Sequence, residues 1–410
     1  MNSERKIIVL LGDGMADEPV PELGNKTPLE VAKTPNMDAL ASKGVMGLAR
    51  TIPAGIAPGS DTANLSIFGY NPSKFYTGRA PLEALNMGIT LGPNDAAFRC
   101  NIVNLENGVM ADFTAGHIDT GFSTIIMNEM NRNGLDAALE FYPGVSYRNM
   151  LVWRNFPFDR MPSTTPPHDI TGRKARGFYP SGNGAELLNK VMHRSVEIIA
   201  ESLVIADGRN HYHGDPVSVW LWGGGRKPAI EPLTKRFGLR GCTISAVDLI
   251  HGIGRAAGLI PRPVEGATGY IDTNYEGKAA AALEALSNGD NFVFLHVESP
   301  DESGHEGNIQ HKLQSIEDFD AKVVGPVLNG IAAFEDCTVL LMPDHPTPLR
   351  TKTHSSDPVP FVIYRQKGFP APSGYIQSDS YNEPSAAQTG VIIDDASVLM
   401  ESLIKGSLPL

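Results

Sequence analysis

The chain is poor in the features that mark secreted, membrane-spanning or nucleic-acid-binding proteins. Its three cysteines, Cys100, Cys242 and Cys337, are spread over 410 residues without a CxxC pair. An odd number at irregular spacing does not make a disulfide framework, and fits buried thiols in a reducing compartment. Long apolar runs are also missing. The N-terminal run from Ile7 to Leu11 has five residues, against ~7–15 for a secretory leader and ~20 for a membrane span. The expectation is a cytoplasmic protein without a membrane partner. Positive charge is scarce: 34 Lys and Arg against 46 Asp and Glu leave a net charge of -12. Repulsion from phosphate backbones then argues against nucleic acid as a partner. A small phosphorylated ligand stays possible, because it needs only a local cationic cluster.

What is present is an alternation of short apolar runs and helical patterns. Residues 6–11 read as a buried parallel strand that empties into Gly12-Asp13-Gly14. Similar runs occur at Val217–Trp222, Asn291–Val297, Thr338–Met342 and Pro360–Tyr364. Helical patterns lie between them at Pro35–Lys43, with Thr34 as its N-cap, and at Ser245–Gly258 and Gly277–Leu286. This order predicts an α/β fold with a mostly parallel sheet flanked by helices. At 410 residues the chain exceeds one compact core of about 250–300 residues, so an additional domain is expected. Residues 143–184 are rich in Pro, Gly and Arg. Between Arg148 and Arg176 six basic residues face two acidic ones, a reversal in an acidic protein. We place this stretch in an inserted domain of residues 96–215, within a core of residues 1–95 and 216–410, and expect it to offer cations to a phosphorylated ligand.

Acids and histidines collect where strands are predicted to end. Asp13 follows the first strand, Asp301 and His305 follow the run 291–297, Asp344 and His345 follow 338–342, and His354 precedes the next run. On a helix, the four-residue spacing of Asp301 and His305 puts both side chains on one face. Three Asp and three His without thiolate suit Mn²⁺, Zn²⁺ or Mg²⁺. Six ligands are too many for one catalytic ion with an open position, so two ions are the economical reading. Ser60, after the Pro58-Gly59 turn, opens a helical stretch whose positive end favours an alkoxide or a phosphoryl group. A plain helix cap is the competing reading for a serine there. No GxSxG elbow surrounds Ser60, so activation by a metal is the available route to a nucleophile.

The segments GDGMAD, PGSDTAN, Asp301-xxx-His305, Asp344-His345 and THSSDP resemble the alkaline phosphatase superfamily, and more narrowly its archaeal-type cofactor-independent phosphoglycerate mutases. KTPLEVAKTPNMDALASKGVMGL, IFGYNPSKFYTGRAPLEA, GATGYIDTNYEGKA and HVESPDESGHEGN extend the match over nearly the whole chain. The resemblance implies an alkaline-phosphatase-like core with an inserted smaller α/β lid. It also implies two divalent ions, Mn²⁺ first and Zn²⁺, Co²⁺ or Mg²⁺ as alternatives. Asp301, His305 and His354 would hold one ion; Asp13, Asp344, His345 and the Ser60 oxygen would hold the other. Ser60 would accept the phosphate of 3-phosphoglycerate and return it to the other hydroxyl of glycerate, with the insertion excluding water. His117, Arg148, Arg226 and Lys278 are the candidate substrate contacts. His168 or Asp169 could move protons on the glycerate hydroxyls. FRCNIV, AGHIDTG, WLWGGGR and DHPTP are also similar to a bacterial branch proposed to phosphorylate homoserine, which leaves a homoserine kinase as the alternative. The oligomeric state stays open.

Overall fold

The computed structural model describes residues 5–206 and 217–409. In chain order its strands are β1 (Lys6–Gly12), β2 (Val45–Ala49), β3 (Ala96–Glu106), β4 (Val109–Asp112), β5 (Leu139–Val145), β6 (Arg148–Trp153), β7 (Val217–Arg226), β8 (Gly241–Ile244), β9 (Ile260–Pro261), β10 (Phe292–Val297), β11 (Cys337–Met342), β12 (Val359–Arg365) and β13 (Ile392–Ile393). The chain divides into two compact units, Met1–Tyr76 with Ile230–Leu410, and Thr77–Ala229.

In the first unit eight strands form one sheet in the order β13-β2-β12-β11-β1-β10-β8-β9. β1 runs parallel to both β10 and β11, and β8 is parallel to β10 and β9. Only β12 breaks the pattern among the described pairs, running antiparallel to β11 and β2. The sheet is therefore mostly parallel, as the apolar runs predict. Ile7 to Leu11 are 0–2% exposed, so both faces of β1 are covered, and burying each of these side chains contributes roughly 1.5–3 kcal/mol. Ile8, Leu10, Val293 and Leu295 pack with Met37 and Leu40 of the helix Pro35–Lys43, Ala279 and Ala282 of Tyr275–Ser287, and Ile316 and Phe319 of Ile309–Phe319.

Thr34 does stand at the N-cap of Pro35–Lys43, but its side chain makes no capping bond. Asp320 does so instead, accepting the backbone N–H groups of Met37 at 2.7 Å and Asn36 at 3.3 Å. That carboxylate opens a π-helical turn, Asp320–Val324, nearly 300 residues away in sequence (320 − 34 = 286).

The second unit is a sheet of order β4-β3-β6-β5 with β7 paired to β3. The helices Thr120–Arg132 and Ala185–Ala206 cover it with Ile126, Met127, Met130, Leu188, Val191 and Met192. Its limits are wider than residues 96–215. Ala80 and Ala84 of the helix Arg79–Asn86 pack on Ala97, Met150 and Val152, and β7 pairs with β3 from Ala96 to Asn104. Both segments therefore share this unit's core. Residue 215, the expected end, lies outside the described residues. The three cysteines are buried and unpaired. Among the described residues no helix is long and apolar enough to cross a membrane.

Candidate active site

Three adjacent parallel strands deliver the acids of the first unit. Asp13 follows β1, Asp344 and His345 follow β11, and the helix Ser299–Glu306 after β10 carries Asp301 and His305. Neighbouring parallel strands end side by side, so residues hundreds of positions apart meet. His305 Nε2 lies 3.2 Å from Asp301 Oδ2, and His354 Nε2 lies 3.5 Å from Asp301 Oδ1. The two imidazole Nε2 atoms are 3.0 Å apart. His345 Nε2 is 3.6 Å from Asp13 Oδ1 and 3.4 Å from Asp344 Oδ2. The donor atoms of Asp301, His305 and His354, and those of Asp13, Asp301 and His345, each lie within 4.8 Å of one another. All six side chains expected as ligands thus share one site.

Ser60 is the first residue of the helix Ser60–Ile67, and Gly59 occupies the cap position. Its hydroxyl is therefore not used as a cap. Ser60 Oγ lies 3.1 Å from His345 Nε2. Ser60, His305 and His354 are half-buried, whereas Asp13, Asp301, Asp344 and His345 are buried. The site has a closed acidic floor and an accessible rim that carries the hydroxyl.

Hydrogen bonds set the imidazole tautomers. His305 Nδ1 faces the Lys352 carbonyl at 3.0 Å. A carbonyl only accepts, so Nδ1 carries a proton, while Nε2 faces Asp301 and His354. Burial opposes charge on His305, but its hydrogen bond to Asp301 outweighs this and pushes the ring up to about 9, so a cation at Nε2 would displace a proton. Thr347 Oγ1 donates to Asp301 Oδ1 and lies 3.3 Å from His345 Nδ1. Its one proton is committed, so it accepts from Nδ1–H, and His345 Nε2 keeps its lone pair toward Ser60 and Asp13. Burial holds His345 below the usual histidine range, consistent with a neutral ring. Burial and then the neighbouring Asp344 and Asp301 push Asp13 well above the usual carboxylate range. Burial also opposes the charge on Asp301, but the hydrogen bonds and charges of His305, His354 and His345 outweigh it and hold that carboxyl low. Asp13 Oδ1 is buried without a hydrogen-bond partner. A bare carboxylate oxygen, crowded anions and inward-facing imidazole nitrogens fit divalent cations with N and O ligands.

Gly14 makes this convergence possible. Its φ is +63°, and a Cβ there would sit 2.6 Å from Asp301 Cα and 2.7 Å from Thr347 Oγ1. Gly14→Ala is expected to cost about 1–3 kcal/mol from backbone conformation alone, and to displace Asp301. Thermal denaturation combined with Mn²⁺ titration checks this. A variant of unchanged Tm that still binds two ions would contradict it.

Three residues of the site escaped the sequence reading. Asn64 Nδ2 donates to Asp344 Oδ2 at 2.8 Å and to the Ser60 carbonyl at 2.9 Å, joining the serine's helix to Asp344. Thr347 orients Asp301 and His345 as above. His296, fully buried, meets Asp13 Oδ2 at 2.9 Å. The only local signal for it was a histidine inside the apolar run FVFLHV.

The candidate substrate contacts fall in different places. In the second unit, exposed His117 and Arg148 flank Tyr147, with ring-centre distances of 6.0 and 5.7 Å. Tyr147 meets Phe113, Phe113 meets His168, and His168 meets Trp222. Asp169 Oδ1 is 3.5 Å from His168 Nε2, both exposed. Arg99 lies over Trp222 and pairs with Glu83 at 2.8 Å. Burial pushes Glu83 up, but Arg99, Arg79 and Arg148 outweigh this and hold it below the usual carboxylate range. Three guanidiniums around one carboxylate leave the strip cationic.

The other two candidates are engaged within the protein. Arg226 donates to the carbonyls of Asn94, Phe156 and Phe158 at 2.7–3.3 Å; three acceptors engage its guanidinium, so it serves as a strut of the second unit rather than an offered cation. Lys278, in the first unit, is 0% exposed and donates to the His296 carbonyl at 3.3 Å. Burial pushes its ammonium down to about 8 against the pull of Glu298. It is a buried residue of the first unit.

Residues 41–204 match the family model of 2,3-bisphosphoglycerate-independent phosphoglycerate mutase. A Geobacter sulfurreducens protein named as a probable mutase of this kind is 49% identical over 407 residues, covering 97% of this chain and 99% of its own. A Methanosarcina acetivorans mutase is 44% identical over 405 residues, covering 98% and 100%. The solved cofactor-independent phosphoglycerate mutase of Thermoplasma acidophilum is 27% identical with a TM-score of 0.64, covering 98% of this chain and 99% of its own. With near-complete coverage at up to 49% identity, the chain belongs to the 2,3-bisphosphoglycerate-independent phosphoglycerate mutase family.

Proposed function

We infer that the chain interconverts 3-phosphoglycerate and 2-phosphoglycerate, with Ser60 carrying the phosphoryl group between the two hydroxyls. The observation that supports this most is Ser60 Oγ at the rim of the ligand cluster, 3.1 Å from His345 Nε2 and released from capping. Ser60 Oγ, entering and leaving the cycle as its alkoxide, forms a bond to phosphorus as the bond to the substrate's C3 oxygen breaks. That oxygen takes a proton and glycerate reorients. Its C2 hydroxyl then gives up a proton, bonds to phosphorus and releases Ser60. We assign these proton transfers to His168 and Asp169, and recognition of the substrate's anionic groups to His117 and Arg148 in the strip of the second unit. That unit is, on this reading, the substrate-clamping domain. The residues of the first unit would hold two divalent cations as the resemblance divides them, with Mn²⁺ as our choice. When bound, these ions supply positive charge that lowers the Ser60 hydroxyl pKa and balances the phosphoryl oxygens.

The test is the Mn²⁺-loaded protein with 3-phosphoglycerate, followed through enolase and pyruvate kinase. We expect turnover without 2,3-bisphosphoglycerate. ATP-dependent phosphorylation of homoserine without isomerase turnover would instead establish the kinase alternative, which the names of the near-full-length relatives do not favour.

A further inference from the structure

The bare oxygen of Asp13 has a counterpart. Its other oxygen, Oδ2, is held by His296, which sits on β10 beside the end of β1, in register with Leu11. The same strand pair fixes the Asp13 backbone, whose N–H donates to the Val297 carbonyl at 2.8 Å. His296 Nδ1 faces Ser245 Oγ at 3.1 Å. Ser245 Oγ also accepts the N–H of Val247 at 2.9 Å, and Asp13, ionised as a ligand, can only accept from the ring. The ring proton is therefore on Nε2, directed at Asp13. Ser245 is itself anchored, its carbonyl facing His251 Nε2 at 3.1 Å while His251 Nδ1 meets Thr243 Oγ1 at 2.8 Å. Lys278 holds the His296 carbonyl at 3.3 Å. Both ring nitrogens of His296 thus have a partner of the right kind.

We propose that His296 is a positioning residue: its Nε2–H locks Asp13 Oδ2 so that Oδ1 stays bare and aimed at a cation. His296, Asp13 and Asp344 are close enough to share an ion, but both ring nitrogens are committed, one to a carboxylate and one to a hydroxyl. The imidazole orients a ligand and is not one. Partners of this type around a ligand carry 10–100-fold in metal affinity. The inference rests on Asp13 being a ligand, which is part of the function proposed above.

Mn²⁺ titration calorimetry of metal-free protein tests it. His296→Leu removes the donor and is expected to weaken one of the two sites 10–100-fold, leaving the other unchanged. His296→Gln can present an amide N–H to Oδ2 and is expected to recover most of that loss. Ser245→Ala frees the ring to change tautomer and should weaken the same site by less. Wild-type affinity at both sites in His296→Leu would overturn the proposal. So would equal weakening in the Leu and Gln variants with a fall in metal-free Tm, which marks a packing role. A changed visible spectrum of the Co²⁺-loaded Gln variant would make His296 a ligand, and would overturn it as well. Should His296→Leu fail to fold, the Gln and Ser245→Ala titrations decide alone, and an unchanged weaker site in both is the negative result. Asp13→Asn separates the two levels: if it keeps both ions, Asp13 is no ligand and the underlying assignment falls. If it loses one ion while His296→Leu does not, only the present proposal falls.

Discussion

Ser60→Ala should reduce isomerase turnover by on the order of 10⁴–10⁶-fold in kcat, the scale seen when a covalent nucleophile is removed. The side chain is half-buried and, among the described residues, its hydroxyl meets His345, so folding stability should change by no more than ~0.5 kcal/mol. Metal binding should persist at both sites, because Asp13, Asp344 and His345 remain. Three measurements read this: the enolase-coupled rate, the metal content, and a phosphate adduct on the Ser60 peptide in the wild type after quenching with substrate. A Ser60→Ala enzyme with wild-type turnover would remove the serine from the mechanism. Loss of both ions together with activity would instead make its main role that of a ligand.

Asp301→Asn is the second large effect. One oxygen of Asp301 meets His305, and the other lies near His354 and accepts from Thr347. Asp301 also belongs to two of the close donor groups. Removing its charge should empty at least one site and lower kcat by at least ~10³-fold, the equivalent of several kcal/mol of charge stabilisation. The stability effect depends on the metal. In metal-free protein the neutralisation relieves repulsion on Asp13 but also removes the pairing of Asp301 with His305 and His354, and the two oppose each other. In metal-loaded protein it forfeits the binding term, about 2.7 kcal/mol for one site at a hundredfold excess over Kd. The gap in Tm between loaded and metal-free forms should therefore shrink, as scanning calorimetry with and without Mn²⁺ would show. An unchanged gap would place Asp301 outside the ion sites.

Chemistry at strand ends was readable because the residue types stand out against their neighbours. Asp13, Asp344 and His345 each follow an apolar run that any buried strand needs, and the Asp301–His305 spacing is a helical one. The residues that complete the site are set by tertiary pairing and carry no such local mark. Thr347 matters through two bonds made after β11 is placed, and Asn64 through one reaching from residue 64 to residue 344. Lys278 and Arg226 show placements that sequence does not reveal. In sequence both are cations beside small residues, but the first is enclosed by its own core and the second holds three carbonyls. The width of the second unit was missed for a similar reason. Val217–Trp222 has the apolar pattern of a core strand, yet its partner is β3, and pattern alone does not name a partner.

The position of β1 has a consequence for how the protein is made. Both its neighbours come late: Ile7 pairs with Phe292 and with Thr338, 285 and 331 residues further along (292 − 7 and 338 − 7). Within this chain β1 thus has no ladder to join until residues 292 and 338 have been synthesised. Loops of that length must close before those contacts form, which slows folding and leaves an apolar strand unpaired meanwhile. In vivo this predicts a long dependence on holdase chaperones, while the Thr77–Ala229 unit, whose strand partners are all internal, is able to fold first.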